Sequence, residues 1–197
     1  MYDLLPPEGI LRAYLGLSIS GLKAAADDKI MRAAFEDTVA ACLLAIRSGG
    51  KVVLAGNGGS FADAQHFAGE LVGAYRNRSR PPIPAVVLGS EGPTLTAISN
   101  DEDYEFALRR IAEVTVKKED AVIALSTSGT SSNIMHMLAH VRALAWTGLW
   151  TSSRVPPSKD CVACTVLKVP SNDTPIIQQV HAALLHCMAG ILEDELS

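Results

Sequence analysis

The sequence predicts a three-layer α/β/α domain, a doubly wound, five-stranded parallel sheet with an N-terminal helical pair. Two observations carry this. Short β-branched runs that are apolar throughout, rather than alternating with polar residues, mark strands covered on both faces. These runs alternate with longer stretches of helical periodicity, and two of them end in small polar residues that lead into a helix. The 197 residues suit one domain with a full core, and no repeat or linker divides residues 1–197.

Taken in order, residues 11–48 carry apolar side chains at helical spacing, with a break at Asp27 and Asp28, and Ser48-Gly49-Gly50 stops the second helix. Residues 51–56 (KVVLAG) form the first strand, followed by a glycine-rich turn and a helix over 61–75. Residues 84–89 form the second strand, and 93–116 are helical with an interruption at Ser99-Asn100-Asp101. The third strand is 120–126, followed by a cluster of hydroxyl residues and a helix over 133–141. Residues 143–148 and 162–169 complete the sheet, and Pro175, in a first helical turn, opens a last helix reaching Glu195.

The formal net charge is −4 and no run of Lys or Arg occurs, so nothing attracts nucleic acid. Apolar stretches are expected to break well short of the roughly 20 residues of a membrane span. The first residues carry acid at Asp3 and no basic region, unlike a signal peptide. These features predict a cytoplasmic protein without a nucleic-acid or membrane partner. Cys42 and Cys187 fall on apolar helix faces, whereas Cys161 and Cys164 form a C-x-x-C. That pair has no second ligand pair nearby and continues as strand, so reduced thiols are expected rather than a zinc or redox site.

Ligands of such sheets bind beyond the carboxyl ends of the strands. Residues 126–131 (STSGTS) place five hydroxyls at a helix N-terminus, an anion site without the lysine of a nucleotide-triphosphate loop. Gly58 and Gly59, between Asn57 and Ser60, allow a ligand to approach the backbone closely, with both polar side chains positioned to bond it. His66 and Glu70 stand four apart on one helix face, a spacing that serves either two ligands of one metal or an acid/base pair. On the last helix, Gln178 and His186 share a face, and His181 points about 140° away from His186. Arg76, Arg78 and Arg80 are expected to form a solvated basic turn, and Trp146 and Trp150 to serve in packing.

With these residues in hand, GNGGSFADAQHFAGEL at 56–71 resembles the phosphoheptose isomerases. TAISND at 96–101, STSGTSSN at 126–133 and VPSNDTPIIQQVH at 169–181 agree with the same family in order and spacing. The resemblance implies a sugar isomerase (SIS) domain of flavodoxin-like type. It implies conversion of sedoheptulose 7-phosphate to D-glycero-D-manno-heptose 7-phosphate through a cis-enediol, assisted by zinc. It places Glu70 on the catalytic base and His186 on its acid/base partner, with His66, Glu70, Gln178 and His186 as zinc ligands. Ser60, Ser126, Thr127, Ser128 and Ser131 fall at the phosphate and sugar, and Asn57, Asp101 and Thr174 at substrate contacts. It also implies a homotetramer with active sites between subunits, in which the helices of about 8–48 pack. Ile176, Thr130, Phe61 and Thr151-Ser152 depart from the family pattern, from which a bulkier, less basic pocket is expected. Some relatives bind a replication initiator or sense a sugar phosphate without catalysis; the presence of both Glu70 and His186 favours an enzyme.

Overall fold

The computed structural model describes residues 7–152 and 165–197. Helices α1 (Pro7–Asp27) and α2 (Lys29–Arg47) form the N-terminal pair. They break where expected, because the Asp28 carboxylate accepts the N–H groups of Ile30 and Met31, both at 2.9 Å, and caps α2. The elements that follow are β1 (Val52–Gly56), α3 (Gly58–Val72), β2 (Ala85–Val87), α4 (Gly92–Asp101), α5 (Tyr104–Thr115) and β3 (Ala121–Leu125). After these come α6 (Ser132–Val141), β4 (Trp146–Ser152), β5 (Thr165–Val169) and α7 (Thr174–Leu196).

All strand pairs are parallel, in the order β2-β1-β3-β4-β5. This is the flavodoxin-like order, and its switch point lies between β1 and β3. Strand residues alternate between two cores. Val52 and Leu54 of β1 and Ile123 and Leu125 of β3 meet α2, α3 and α7. Val53, Ala55, Val122 and Ala124 meet α5 and α6 on the other face. Both faces are therefore buried, which is why no polar alternation marks the strands.

Several boundaries differ from expectation. The fourth strand starts at Trp146 rather than 143, because Leu144 and Ala145 donate to Val141 and extend the turn that ends α6. It also runs further, and Thr151 and Ser152 pair with Lys168 and Val169. Helix α3 begins at Gly58, so the glycines form its first turn, and it stops at Val72. The break between α4 and α5 falls at Glu102-Asp103, two residues past the expected interruption. Cys161 and Cys164 lie outside the described residues. Cys42 is buried as expected, but Cys187 is exposed.

The last helix corrects a second expectation. No Asp, Glu, Lys or Arg interrupts residues 174–192, and by length and composition α7 would suffice to cross a membrane. It instead lies among α1, α2 and α3 against the sheet, and its apolarity is that of a core helix. Ile176 is 4% exposed and packs where a Cβ on Gly21 of α1 would stand. That departure from the family pattern docks α7 onto α1 rather than lining a pocket.

Candidate active site

The turns after β1 and β3 flank the switch point and build one part of the site. Gly58 (φ +53°) and Gly129 (φ +63°) take left-handed conformations that L side chains rarely adopt. A Cβ on Gly56 would stand 2.7 Å from the Ser60 backbone, so the chain folds back on itself there. In the second turn, Ser126 Oγ and Ser128 Oγ each lie 3.4 Å from Ser131 Oγ. Ser126 Oγ also accepts the Gly129 N–H at 3.2 Å. Asn57, Ser131 and Asp173, which precede α3, α6 and α7, make no side-chain cap hydrogen bond, in contrast to Asp28. Helix N-termini without a side-chain cap beside clustered hydroxyls suit an anion such as a phosphate.

Asn57 is joined to Asn133 by a reciprocal amide pair at 2.8 and 2.9 Å, and its Oδ1 also accepts the Tyr104 hydroxyl at 2.8 Å. Both lone pairs of that oxygen are used, which leaves one Nδ2 hydrogen to donate to a ligand. Phe61 and Tyr104 line a cavity of about 220 Å³ beside this pair, with Leu88, Leu95 and Leu108. Phe61, which departs from the family pattern, thus lines a cavity at the turn. Thr130 is exposed, and its N–H donates to Ser128 Oγ.

The second part lies further along α3 and α7, which run parallel on the same sheet face. His66 Nε2 is 3.0 Å from His186 Nε2 and 3.5 Å from Glu70 Oε1. One donor atom from each of the three residues falls within 4.8 Å of the others. His186 Nδ1 lies 2.9 Å from the Ala182 carbonyl. A carbonyl only accepts, so Nδ1 carries the hydrogen and Nε2 presents its lone pair to the cluster. Two imidazole nitrogens and a carboxylate at this spacing fit zinc with an open position, and the Ala182 bond supplies the outer support a metal-bound histidine needs. Beside them, Asp63 carries an oxygen buried without a partner among the described residues. Burial pushes its carboxyl up, and the charge of His66 works against this.

The structure separates some residues that the resemblance groups. The Gln178 carboxamide lies against Gly59, within 2.4 Å of where a Cβ would stand, at the start of α3. His66 is two turns further on, about 12 Å along the helix from Gly58. Within one chain, then, the hydroxyl turns with Gln178 form one cluster, and His66, Glu70 and His186 form another; Thr174 is the exposed first residue of α7, one turn before Gln178. Asp101 ends α4 and is exposed, with Asn100 Nδ2 3.0 Å from its carboxylate.

Four side chains have surroundings that the sequence reading did not give. His181 is fully buried against Trp150, at 5.8 Å between ring centroids, and neither ring nitrogen has a partner among the described residues. Arg80 is 1% exposed at its side chain and paired with Glu193, so the basic turn is solvated only at Arg76 and Arg78. Asn133 and Tyr104 were not singled out as site residues. Asn133 closes the hydroxyl motif and was legible there, whereas nothing local marks Tyr104.

Comparison with known proteins bears on this geometry. The SIS domain family profile matches residues 18–147. The chain is 40% identical over 152 residues to a phosphoheptose isomerase of Aliarcobacter butzleri, covering 77% of this chain and 80% of that protein. It is 41% identical over 169 residues to a phosphoheptose isomerase of Burkholderia pseudomallei, covering 85% and 84%. The solved structure of a phosphoheptose isomerase from Francisella tularensis superposes with a TM-score of 0.89 at 25% identity, covering 96% of this chain and all of that one. The chain belongs to the SIS-domain family of phosphoheptose isomerases and is an isomerase.

Proposed function

We propose that the protein interconverts sedoheptulose 7-phosphate and D-glycero-D-manno-heptose 7-phosphate through a cis-enediol. The observation that carries this reading is the cluster of His66, Glu70 and His186, with the His186 tautomer set by Ala182. The substrate phosphate sits at the hydroxyls of Ser60, Ser126, Thr127, Ser128 and Ser131, near the helix N-termini. Asn57 donates to a sugar oxygen, and Asp101 and Thr174 complete the polar contacts. Glu70 takes a proton from C1 of the ketose, and the C–H electron pair becomes the C1–C2 double bond as O2 gains a proton. Loss of the O1 proton and return of a proton to C2 give the aldose. While its lone pair is not ligating a metal, His186 Nε2 moves the protons between the oxygens.

His66, Glu70 and His186 would hold zinc, with Gln178 as the fourth donor of the family set. When bound, the ion supplies positive charge to the carbonyl and enediolate oxygens.

The two clusters of one chain stand apart along α3, and we place the working site between subunits of a homotetramer, where clusters from different copies meet. Helix α1 fits that role. Leu11, Leu15, Ile19 and Leu22 are 40–66% exposed on it, and a groove lined by Leu22, Met31, Phe35 and Leu184 lies against α2 and α7. The protein is assigned to the cytoplasm on the same reading.

The test is incubation with sedoheptulose 7-phosphate, with zinc or with a chelator, following aldoheptose 7-phosphate by NMR. Conversion that falls with chelator and returns with zinc is expected. Sugar-phosphate binding without conversion under any metal condition would overturn the proposal in favour of a sensing module.

A further inference from the structure

The loop that follows α3 is tied to α7 by a single buried ion pair. Glu193 Oε1 accepts the N–H groups of Arg76 at 2.9 Å and Asn77 at 2.8 Å. Its Oε2 accepts the Tyr75 N–H at 3.1 Å and Arg80 Nε at 2.8 Å. The two side chains are 1% and 3% exposed. Burial alone would push the Glu193 carboxyl up, but the Arg80 bond and the three backbone N–H bonds outweigh it and bring it down to about 2. It is therefore a charged carboxylate with its lone pairs occupied.

Arg80 has a second task. Its Nη2 donates to the Glu70 carbonyl at 2.7 Å and its Nη1 to Pro81 at 2.8 Å. Past Gly69, the last-turn carbonyls of α3 have no helical partners. Gly69 takes the Gly73 N–H, Leu71 takes the Ile83 N–H, and Glu70 takes the guanidinium. One planar fork thus grips the backbone of Glu70 on α3 and the side chain of Glu193 on α7, two turns beyond His186. Between them, the Tyr75 ring lies tilted at 38° to the His186 ring, 5.8 Å between centroids, and against Gly190.

We propose that Arg80 and Glu193 are positioning residues, a clamp that sets the register of α3 against α7 and so holds His66 and Glu70 within reach of His186. This rests on the proposed role of those three residues, but the clamp itself is testable without turnover. Arginine is needed because a lysine ammonium cannot present the same fork to both acceptors. The hydroxyl turns lie at the far end of both helices, so the clamp acts on the cluster and leaves phosphate binding alone.

The test compares full-length wild type with Arg80→Lys, and with Asp120→Asn as a control. Among the described residues, Asp120 forms another ion pair with a buried carboxylate, to Lys51 at 2.6 Å, just before the central strands β3 and β1. Three readouts are taken: metal-free imidazole ¹⁵N shifts of His66 and His186, Co²⁺ affinity from its visible absorption, and kcat and KM separately. Arg80→Lys is expected to move both histidine shifts, to weaken Co²⁺ about 10- to 100-fold, and to lower kcat with KM little changed. Asp120→Asn is expected to lower the melting temperature while leaving all three readouts at wild-type values. If Arg80→Lys does not fold, Glu193→Gln is read in the same way. Wild-type shifts and Co²⁺ affinity in the Arg80 variant, or equal changes in the Asp120 control, would overturn the clamp. Shifted histidines in a protein that isomerises nothing would leave the clamp standing and sink the isomerase reading.

Discussion

His181 makes the stability of this fold acid-sensitive through one residue. Both ring nitrogens are buried, the ring packs on Trp150, and burial lowers its pKa from 6.5 to about 4. The folded state thus favours neutral imidazole, while the unfolded chain protonates near pH 6.5. The contribution of His181 is fully present above that value and is lost as pH falls toward 4. Between pH 7.5 and 5.0 the linkage is about 2 kcal/mol, at about 1.4 kcal/mol per unit beneath the unfolded pKa. For a chain of this size that corresponds to a melting shift of several degrees. His181→Leu keeps the volume and removes the titrating group. At pH 7.5 the variant is expected to be no less stable, because it removes two buried nitrogens with unmade hydrogen bonds. Urea unfolding at fixed protein concentration, followed by tryptophan fluorescence at both pH values, gives the double difference. Wild type should lose about 2 kcal/mol more than the variant on acidification. Parallel losses would show that His181 has a partner or water in the folded state and would refute the reasoning.

Other substitutions separate site from scaffold. Gly56→Ala drives a Cβ to 2.7 Å from the Ser60 backbone, which cannot yield, and should cost about 1–3 kcal/mol by thermal or urea unfolding. Gly59→Ala meets only the movable end of Gln178, so the melting temperature should hold within a few degrees while kcat/KM falls about tenfold or more. Tyr104→Phe removes one bond to Asn57 Oδ1 but leaves the Asn57–Asn133 pair; about 1 kcal/mol of stability or less and a several-fold rise in KM are expected. Glu193, held at about 2, supports its loop above pH 4.5 and loses that support as pH falls toward 2. Amide exchange at Arg76 and Asn77 should quicken over that window in wild type and be fast throughout in Glu193→Gln.

Much of this was legible in the sequence because the signals were local. The strands read as apolar runs, Asp28 and Gly49 mark the ends of α1 and α2, and the four motifs place the site residues in order. Errors arose where the outcome depends on distant partners. The fourth strand was placed too early because Ala143 and Leu144 look apolar, yet they finish the α6 turn, and Thr151-Ser152 join the sheet only by pairing with β5. Arg80 reads as a surface charge until Glu193, 113 residues away, is brought beneath it. His181 was set on the correct side of its helix, away from His186, but only the packing of Trp150 shows that this side is core. Ile176 read as a change in the pocket, whereas Gly21 of α1 receives it. Spacing paired His66 with Glu70, and only the resemblance joined His186 to them; their distance from the hydroxyl turns depends on how far along α3 and α7 each residue stands.

The most direct measurement sets wild type beside Glu70→Gln and His186→Asn with sedoheptulose 7-phosphate and zinc, monitoring turnover by NMR and inorganic phosphate binding by calorimetry. The account predicts that wild type forms aldoheptose 7-phosphate, that both variants lose at least about a hundredfold in kcat, and that all three bind phosphate alike. Wild-type turnover in either variant would contradict the assignment of proton transfer to this cluster.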